Sequence, residues 1–423
     1  MNQRKQRQCP KKVTSPSFVF VVLALAASAS SCFLRTPTVP ISFKTALRRY
    51  DPLFSQKSSE MPMAPPPQTS AASSLFSLVL QNRLQRTPST TADDSKRNNE
   101  KQVIHSAIPI AGVHDALSAK IFAQHGAPAL FLSGFGVSAS LLGIPDAGMT
   151  NLVEMEMMAR HICSVVRNKN FPNSTPPPII VDGDTGYGGS ANMLRTITAL
   201  ATAGAAAITI EDQTFPKKCT IAAGDKIRIV DREMAMQRVK AALGARDLFD
   251  EKSAYSMQET APSGPGVWIV ARTDCRLAFG FEEVVERCLR FEEMGADIVY
   301  AENLQSVSEY QELRNRLDSR TITMVAQVQE TLQNERSETK MDGKPLLTIQ
   351  DIGDLGYDMA LFGVTPLQCV VGVLEKSASK FLGTGIIHQP LKDTQIPMAD
   401  FGTVKRVVGF DALEEFENKF PCG

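Results

Sequence analysis

Several short strings in this chain carry residues whose types and spacing could do chemistry. VDGDTGYGG places Asp182 and Asp184 two residues apart at the end of a short apolar run, and TIEDQTFPKKC places Glu211 and Asp212 at the end of another, with Cys219 in the loop that follows. Residues two apart on an extended strand leave on the same side, so the two aspartates face together. Carboxylates gathered at one edge repel one another, and a hard divalent cation with oxygen ligands relieves that repulsion. Magnesium is the expected ion, with manganese as its alternative. A solvated acidic turn would give the same DxD string, but the glycines after it and the second acidic run favour the metal. ARTD adds Arg272, suited to grip a substrate carboxylate through two parallel N–H bonds, or to pair internally with Asp274 or Glu302. SGFG, from Ser133 to Gly136, offers backbone N–H groups to anionic oxygens. A metal, an arginine and backbone donors together suit a small carboxylate that becomes an enolate, because each places positive charge where negative charge develops.

Such residues need a frame that brings them to one edge. Between the two acidic runs, Met193, Ile197 and Leu200 recur at three- and four-residue intervals, which predicts an amphipathic helix. Strand, helix and strand of this length make a parallel βαβ unit. The pattern repeats: strands are expected at Ile108–Val113, Ala129–Ser133, Ile179–Val181, Ala207–Ile210, Trp268–Ala271, Ile298–Ala301, Thr321–Ala326 and Met359–Phe362. Helices are expected to begin near Asp115, Asn151, Asn192, Asp231, Glu282, Val307, Thr348 and Leu367. Eight such units predict an α/β fold, a TIM (β/α)8 barrel over 100–423, whose active site lies at the strands' C-terminal ends. Two segments stand outside the pattern. Asp247–Gly266, rich in Ser, Gly, Pro and charge, is expected as a surface insertion on the opposite face. The terminal run Phe410–Phe420 forms a C-terminal helical extension whose Phe410, Leu413, Phe416 and Phe420 must pack on something.

The ends and the composition narrow the class. Lys+Arg and Asp+Glu both total 45, so charge gives no reason to expect a nucleic acid or a membrane surface as partner. Eight cysteines without CxxC pairs argue against a disulfide scaffold or a zinc site. Residues 1–29 read as a secretory signal: basic residues, the apolar core FVFVVLALAA, then small residues. Residues 30–99, rich in Ser, Thr and Pro, read as a disordered transit-peptide-like stretch that cannot pack a core. Together they predict a plastid reached through the secretory route and no stable membrane association after processing. The secretory pathway, the mitochondrion and a single-pass anchor are the alternatives.

SGFGVSASLLGIPD, VDGDTGYGG, TIEDQTFPKKC, ARTD and AEN, in this order and spacing, resemble the isocitrate lyase and phosphoenolpyruvate mutase superfamily. The likeness spans about Ile104 to Phe420, and is greatest to the branch of 2-methylisocitrate lyase and the plant petal-death proteins, often labelled carboxyvinyl-carboxyphosphonate phosphorylmutase. It implies a magnesium enzyme that cleaves a C–C or C–P bond next to a 2-oxo or 2-hydroxy carboxylate. It implies that Asp182 and Asp184 hold the metal, with Asp146 and Glu211 near its water shell. Ser133, Gly134 and Phe135 match the substrate-carboxylate loop, and Arg272 and Glu302 the substrate-binding pair. Cys219 matches the cysteine that protonates the enolate-like product, and beside Lys217 and Lys218 it would favour thiolate. Glu211 joins Cys219 and Arg272 as a catalytic group. The resemblance also implies a homodimer or homotetramer that exchanges its last helix between subunits.

Departures bear on the substrate. Where the lyases continue KKCGH and then an arginine, this chain reads KKCTIAAGDK; Gln327 stands for an asparagine, and Gln368 for an arginine after the last strand. With those anchors gone, a tricarboxylate is harder to hold than oxaloacetate or a 2-substituted malate. The expected activity is therefore magnesium-dependent C–C cleavage of a small dicarboxylate. Phosphonate chemistry, for which Cys219 is a poor fit, and a metal-binding barrel without turnover are the alternatives. The loop Phe215–Lys226 is expected to close as a lid.

Overall fold

A computed structural model describes residues 70–86, 106–167, 175–220, 226–256, 266–328, 346–385 and 397–421. Eight parallel strands, β1 (Ile108–Val113), β2 (Ala129–Leu132), β3 (Ile179–Asp182), β4 (Ala207–Ile210), β5 (Trp268–Thr273), β6 (Ile298–Ala301), β7 (Thr323–Ala326) and β8 (Met359–Phe362), pair in sequence order, and β8 pairs with β1 to close a barrel. Short apolar runs suit this architecture because each strand is covered on both faces. Two layers of core result. Ile110, Phe131, Ile180, Tyr300 and Leu361 fill the barrel, while Leu132, Val181, Ile208, Ile269 and Val299 pack outward against the helices.

The helices lie where the pattern puts them. In order they are α1 (Ala71–Arg86), α2 (Ala116–Gln124), α3 (Gly134–Val137), α4 (Leu152–Val166), α5 (Ser190–Ala203), α6 (Arg232–Ser256), α7 (Arg276–Phe279), α8 (Phe281–Glu293), α9 (Val307–Arg316), α10 (Ile349–Asp354), α11 (Thr365–Thr384), α12 (Phe401–Val408) and α13 (Phe410–Lys419). Short polar residues fix several starts by accepting from the free N–H groups of the first turn: Asp115 for α2, Asn151 for α4, Ser306 for α9 and Thr348 for α10. At Gly112 the chain after β8 comes so close that a Cβ would lie 2.0 Å from the Gly363 carbonyl oxygen. Glycine is required there.

Three expectations change. The stretch expected to pack no core contributes α1, whose Ala72, Leu75 and Val79 are buried against Ile108, Trp268 and Met359 at the strands' N-terminal ends. Phe76 meets Trp268 edge-on, with ring centroids 5.9 Å apart. Arg83 grips the buried Asp358 through two bonds of 2.7 Å. The sequence reading missed α1 because a Ser-rich composition hid the spacing of Ala72, Leu75 and Val79. The barrel unit therefore begins no later than Ser70 rather than at 100. Asp247–Gly266 is likewise not wholly an insertion, since α6 continues to Ser256 before residues outside the described set. The terminal helix forms, but Phe410, Leu413, Phe416 and Phe420 are each about half exposed in the single chain. The signal-like segment and most of the transit-like stretch lie outside the described residues; among those described, no helix is long and apolar enough to cross a membrane.

Candidate active site

A cavity of about 560 Å³, its mouth included, opens at the C-terminal ends of the strands. Asp146, Asp182, Glu211, Cys219, Arg272 and Glu302 line it, as do Ser133 and Phe135 from the turn after β2. Asp184 and Gly134 sit directly behind: Gly134 N–H donates to Asp182 Oδ2 at 3.3 Å, and Asp184 N–H to Asp182 Oδ1 at 3.2 Å. The sequence-derived site residues are thus brought together at one place.

Asp184 sits at φ 48°, in the left-handed region that aspartate tolerates better than most residues. This turn aims its carboxylate at the Lys217 ammonium, which lies 2.6 Å from Asp184 Oδ1 and 2.7 Å from Asp146 Oδ1. Burial raises Asp184 to about 6, against the pull of Lys217 and with the repulsion of Asp182 and Asp146. Burial opposes the charge on Lys217, but Asp184, Glu211, Asp182 and Asp146 together raise it well above its ordinary value. Its ammonium therefore serves the carboxylates, which corrects the expectation that both lysines act on the thiol.

Glu211 and Asp212 diverge, as neighbours on a strand end must. Glu211 faces the cavity; its Oε2 is 3.6 Å from Arg272 Nη1, and its buried Oε1 has no hydrogen-bond partner among the described residues. Burial pushes it well above the carboxylate range, more than Arg272 pulls it down. Asp212 turns outward, where it pairs with buried Arg287 at 2.9 Å and accepts from Asp274 N–H at 2.9 Å. Asp274 in turn accepts from Arg272 Nε at 2.7 Å and from Gln213 Nε2 at 2.7 Å. Arg272 thus has the internal salt bridge and the cavity position at once. Its Nε is fixed by Asp274 while Nη1 faces Glu211.

Two details revise the expected substrate loop. Gly134 N–H already serves Asp182, and Gly136 N–H donates to Ser133 Oγ at 3.1 Å. The Ser133 hydroxyl is left with its own proton to offer. Cys219 is half-buried at the cavity edge, its N–H donating to the Asp146 carbonyl at 3.1 Å, while residues 221–225 of the expected lid lie outside the described residues. Gln327 lines the cavity, but its amide is committed to the Tyr310 hydroxyl at 3.1 Å and to Leu347 N–H at 3.1 Å. Gln368 is exposed on α11.

The sequence reading missed Lys217 as a partner of the carboxylates, and Tyr300, whose ring lines the cavity beneath Arg272 with Cζ 5.3 Å from its centroid. Strand alternation could have found Tyr300, since it stands two residues before Glu302 on the same side of β6.

A divalent cation fits this donor set. Asp182, Asp184, Asp146 and Glu211 supply hard oxygens, among them the unpartnered Glu211 Oε1, and Lys217 shows that positive charge is wanted between Asp146 and Asp184. Among the described residues no three such groups converge at ligand distance around one point. Magnesium, which retains water ligands readily, would be held through water across that spacing.

The sequence profile of the phosphoenolpyruvate phosphomutase family matches residues 102–382. 2,3-Dimethylmalate lyase of Eubacterium barkeri is 28% identical over 316 residues, 74% of this chain and 93% of that protein. 2-Methylisocitrate lyase of Aeropyrum pernix is 32% identical over 274 residues, 65% of this chain and 75% of its own. The chloroplastic carboxyvinyl-carboxyphosphonate phosphorylmutase of Arabidopsis thaliana is 30% identical over 314 residues, 73% and 79% of the two chains. Among solved structures, oxaloacetate acetylhydrolase with 3,3-difluorooxalacetate superposes with a TM-score of 0.63 at 23% identity, covering 83% of this chain and 97% of that one. Phosphonopyruvate hydrolase with oxalate and Mg2+ gives 0.59 at 21%, covering 83% and 99%. At those identities the two structures share the fold.

Proposed function

The chain belongs to the phosphoenolpyruvate phosphomutase family, within the isocitrate lyase/phosphoenolpyruvate mutase superfamily, and from that membership we propose a magnesium-dependent lyase that cleaves a C–C bond of a small 2-oxo or 2-hydroxy dicarboxylate. The observation that carries this reading is the meeting of Glu211, Lys217, Cys219, Arg272 and Glu302 in one cavity at the barrel mouth. Asp182 and Asp184, with Asp146 and Glu211 through water, would hold the magnesium, which when bound draws electron density from the reacting carboxylate. Arg272, fixed at Nε by Asp274, presents its remaining N–H groups to a substrate carboxylate, and Ser133 offers its hydroxyl proton to another oxygen. Glu302 accepts from the substrate hydroxyl.

For a 2-hydroxy dicarboxylate, the hydroxyl proton that Glu302 holds in the bound state passes, as the bond breaks, to the ionised form of Glu211, whose charge Arg272 supports against burial. The adjacent C–C bond breaks, its electrons pass to the departing carbon as an enolate, and Cys219 gives that carbon a proton. Exchange with solvent returns the proton on Glu211 and reprotonates the thiolate. Loss of the tricarboxylate anchors supports a dicarboxylate of oxaloacetate or 2-substituted malate type: Gln327 is tied to Tyr310 and Leu347, and a glutamine, Gln368, stands exposed where the resemblance puts an arginine.

The test is a panel of such dicarboxylates with magnesium or chelator, followed by release of pyruvate, glyoxylate or oxalate. Magnesium-dependent release is expected. Turnover of phosphonopyruvate instead would replace this reading by C–P chemistry, and magnesium binding without any turnover would leave a binding barrel. We assign the protein to a plastid, supported by the presequence pattern and the chloroplastic relative. We also assign it a homodimeric or homotetrameric state with exchanged last helices, supported by the exposed apolar side chains of α11 to α13.

A further inference from the structure

We propose that Tyr300 is a positioning residue that sets Glu302 and Arg272 as a single unit for gripping a hydroxylated substrate. The inference rests on the dicarboxylate reading above. It starts from register: Arg272 on β5 is the direct partner of Tyr300 on β6, so the two side chains stand next to each other in the layer that faces the cavity. Glu302 follows two residues later, and its N–H donates to the Thr273 carbonyl at 2.9 Å, which carries the same pairing one step further.

Two contacts join the three side chains. The Tyr300 hydroxyl donates to Glu302 Oε2, and the Arg272 guanidinium lies over the Tyr300 ring at 5.3 Å. Tyr300 is 1% exposed and Glu302 8%, so neither contact is diluted by bulk water. Burial, then the charge of Glu302, hold the phenol well above its ordinary value, and it remains a donor at any working pH.

The hydroxyl is the informative atom. Phenylalanine would fill the same core position beside Met324 and support the same guanidinium. What only tyrosine adds is a bond to one oxygen of the Glu302 carboxylate, which lines the cavity. A carboxylate so fixed accepts from a substrate hydroxyl without first giving up freedom, and recognition is carried by preorganisation. The ring fixes Arg272 for the substrate carboxylate by separate means. Loss of the hydroxyl should therefore hurt ligands that carry a 2-hydroxyl and spare those that lack one.

The test uses the magnesium-loaded full chain and two probes, malate and oxalate, with binding measured by calorimetry. In Tyr300→Phe, malate affinity should fall about tenfold, the scale of one lost hydrogen bond, while oxalate affinity changes by less than about twofold. On whichever dicarboxylate the enzyme turns over, KM should rise by a similar factor with kcat nearly kept. Tyr300→Leu, which also removes the ring from Arg272, should weaken both probes. Equal malate affinity in wild type and Tyr300→Phe would overturn the positioning role, and so would equal losses of malate and oxalate, which mark general damage. A wild-type protein that binds neither probe would instead bring down the dicarboxylate reading and this inference with it. Urea unfolding of Tyr300→Phe, Glu302→Gln and the double variant tests the pair without any ligand: additive effects would overturn the contact, and non-additive effects are expected.

Discussion

Replacing Asp184 by asparagine should stabilise the metal-free protein while destroying its activity. Burial raises the Asp184 carboxyl from 3.8 to about 6. An acid whose pKa is raised by folding contributes its stability below the unfolded value and loses it as pH rises through the folded value. For Asp184 the loss therefore falls between about pH 4 and 6, and at about 1.4 kcal/mol per unit it reaches about 3 kcal/mol at neutral pH. Asparagine does not ionise and escapes this cost. The gain is reduced because Lys217 loses one carboxylate, although Asp146 remains at 2.7 Å. A net rise of about 1 to 3 kcal/mol is expected, or about 2 to 6 °C in Tm for a domain of this size. Differential scanning calorimetry in chelator, from pH 4 to 8, measures it. Wild type should lose stability across that window and Asp184→Asn much less. Added magnesium should raise the wild-type Tm by mass action and leave the variant unmoved. A metal-free variant less stable than wild type at neutral pH, or one that still responds fully to magnesium, would refute the reasoning.

Cys219→Ser should retain substrate binding but lose about 100-fold or more in kcat, because a serine hydroxyl is a far weaker acid toward the enolate; steady-state kinetics beside oxalate binding separates the two effects. Sedimentation should show an oligomer, and a chain ending at Gly385, which lacks α12 and α13, should form a smaller assembly or aggregate; an unchanged monomer in both would count against the swapped helix. Leu75→Ala, at a side chain with no exposed surface, should cost about 2 to 5 kcal/mol of unfolding free energy in denaturant titration. A negligible cost would mean that α1 does not belong to the barrel core.

How much of this was legible in the sequence depends on what kind of signal each part left. The eight strands were legible because a parallel strand buried on both faces is a short apolar run, and six expected strands differ from the observed ones by at most one residue at either end. β5 runs two residues further, through Arg272 and Thr273, because those polar residues are held by Tyr300 pairing and by Asp212 rather than by water. The acidic pair was legible from period-two alternation. Lys217 was not, since its role comes from a long reach across the cavity to Asp146, 71 residues earlier. Nor was the commitment of Gln327, whose partners Tyr310 and Leu347 are brought to it only by the closed barrel.

The closure of the barrel base by α1 bears on how the molecule comes into being. Ala72, Leu75 and Val79 leave a ribosome long before most of the strands they pack on, since their seats include Met324 and Met359, and Arg83 waits for Asp358, 275 residues later. Contacts so distant along the chain form late, after the loop-closure entropy has been overcome. Until β8 arrives, the apolar stripe of α1 has nowhere to dock and is exposed to chaperones or to other nascent chains. The same geometry limits truncation, since a cut within α1 removes the base of the barrel. A helix made early and docked last therefore opens the barrel unit.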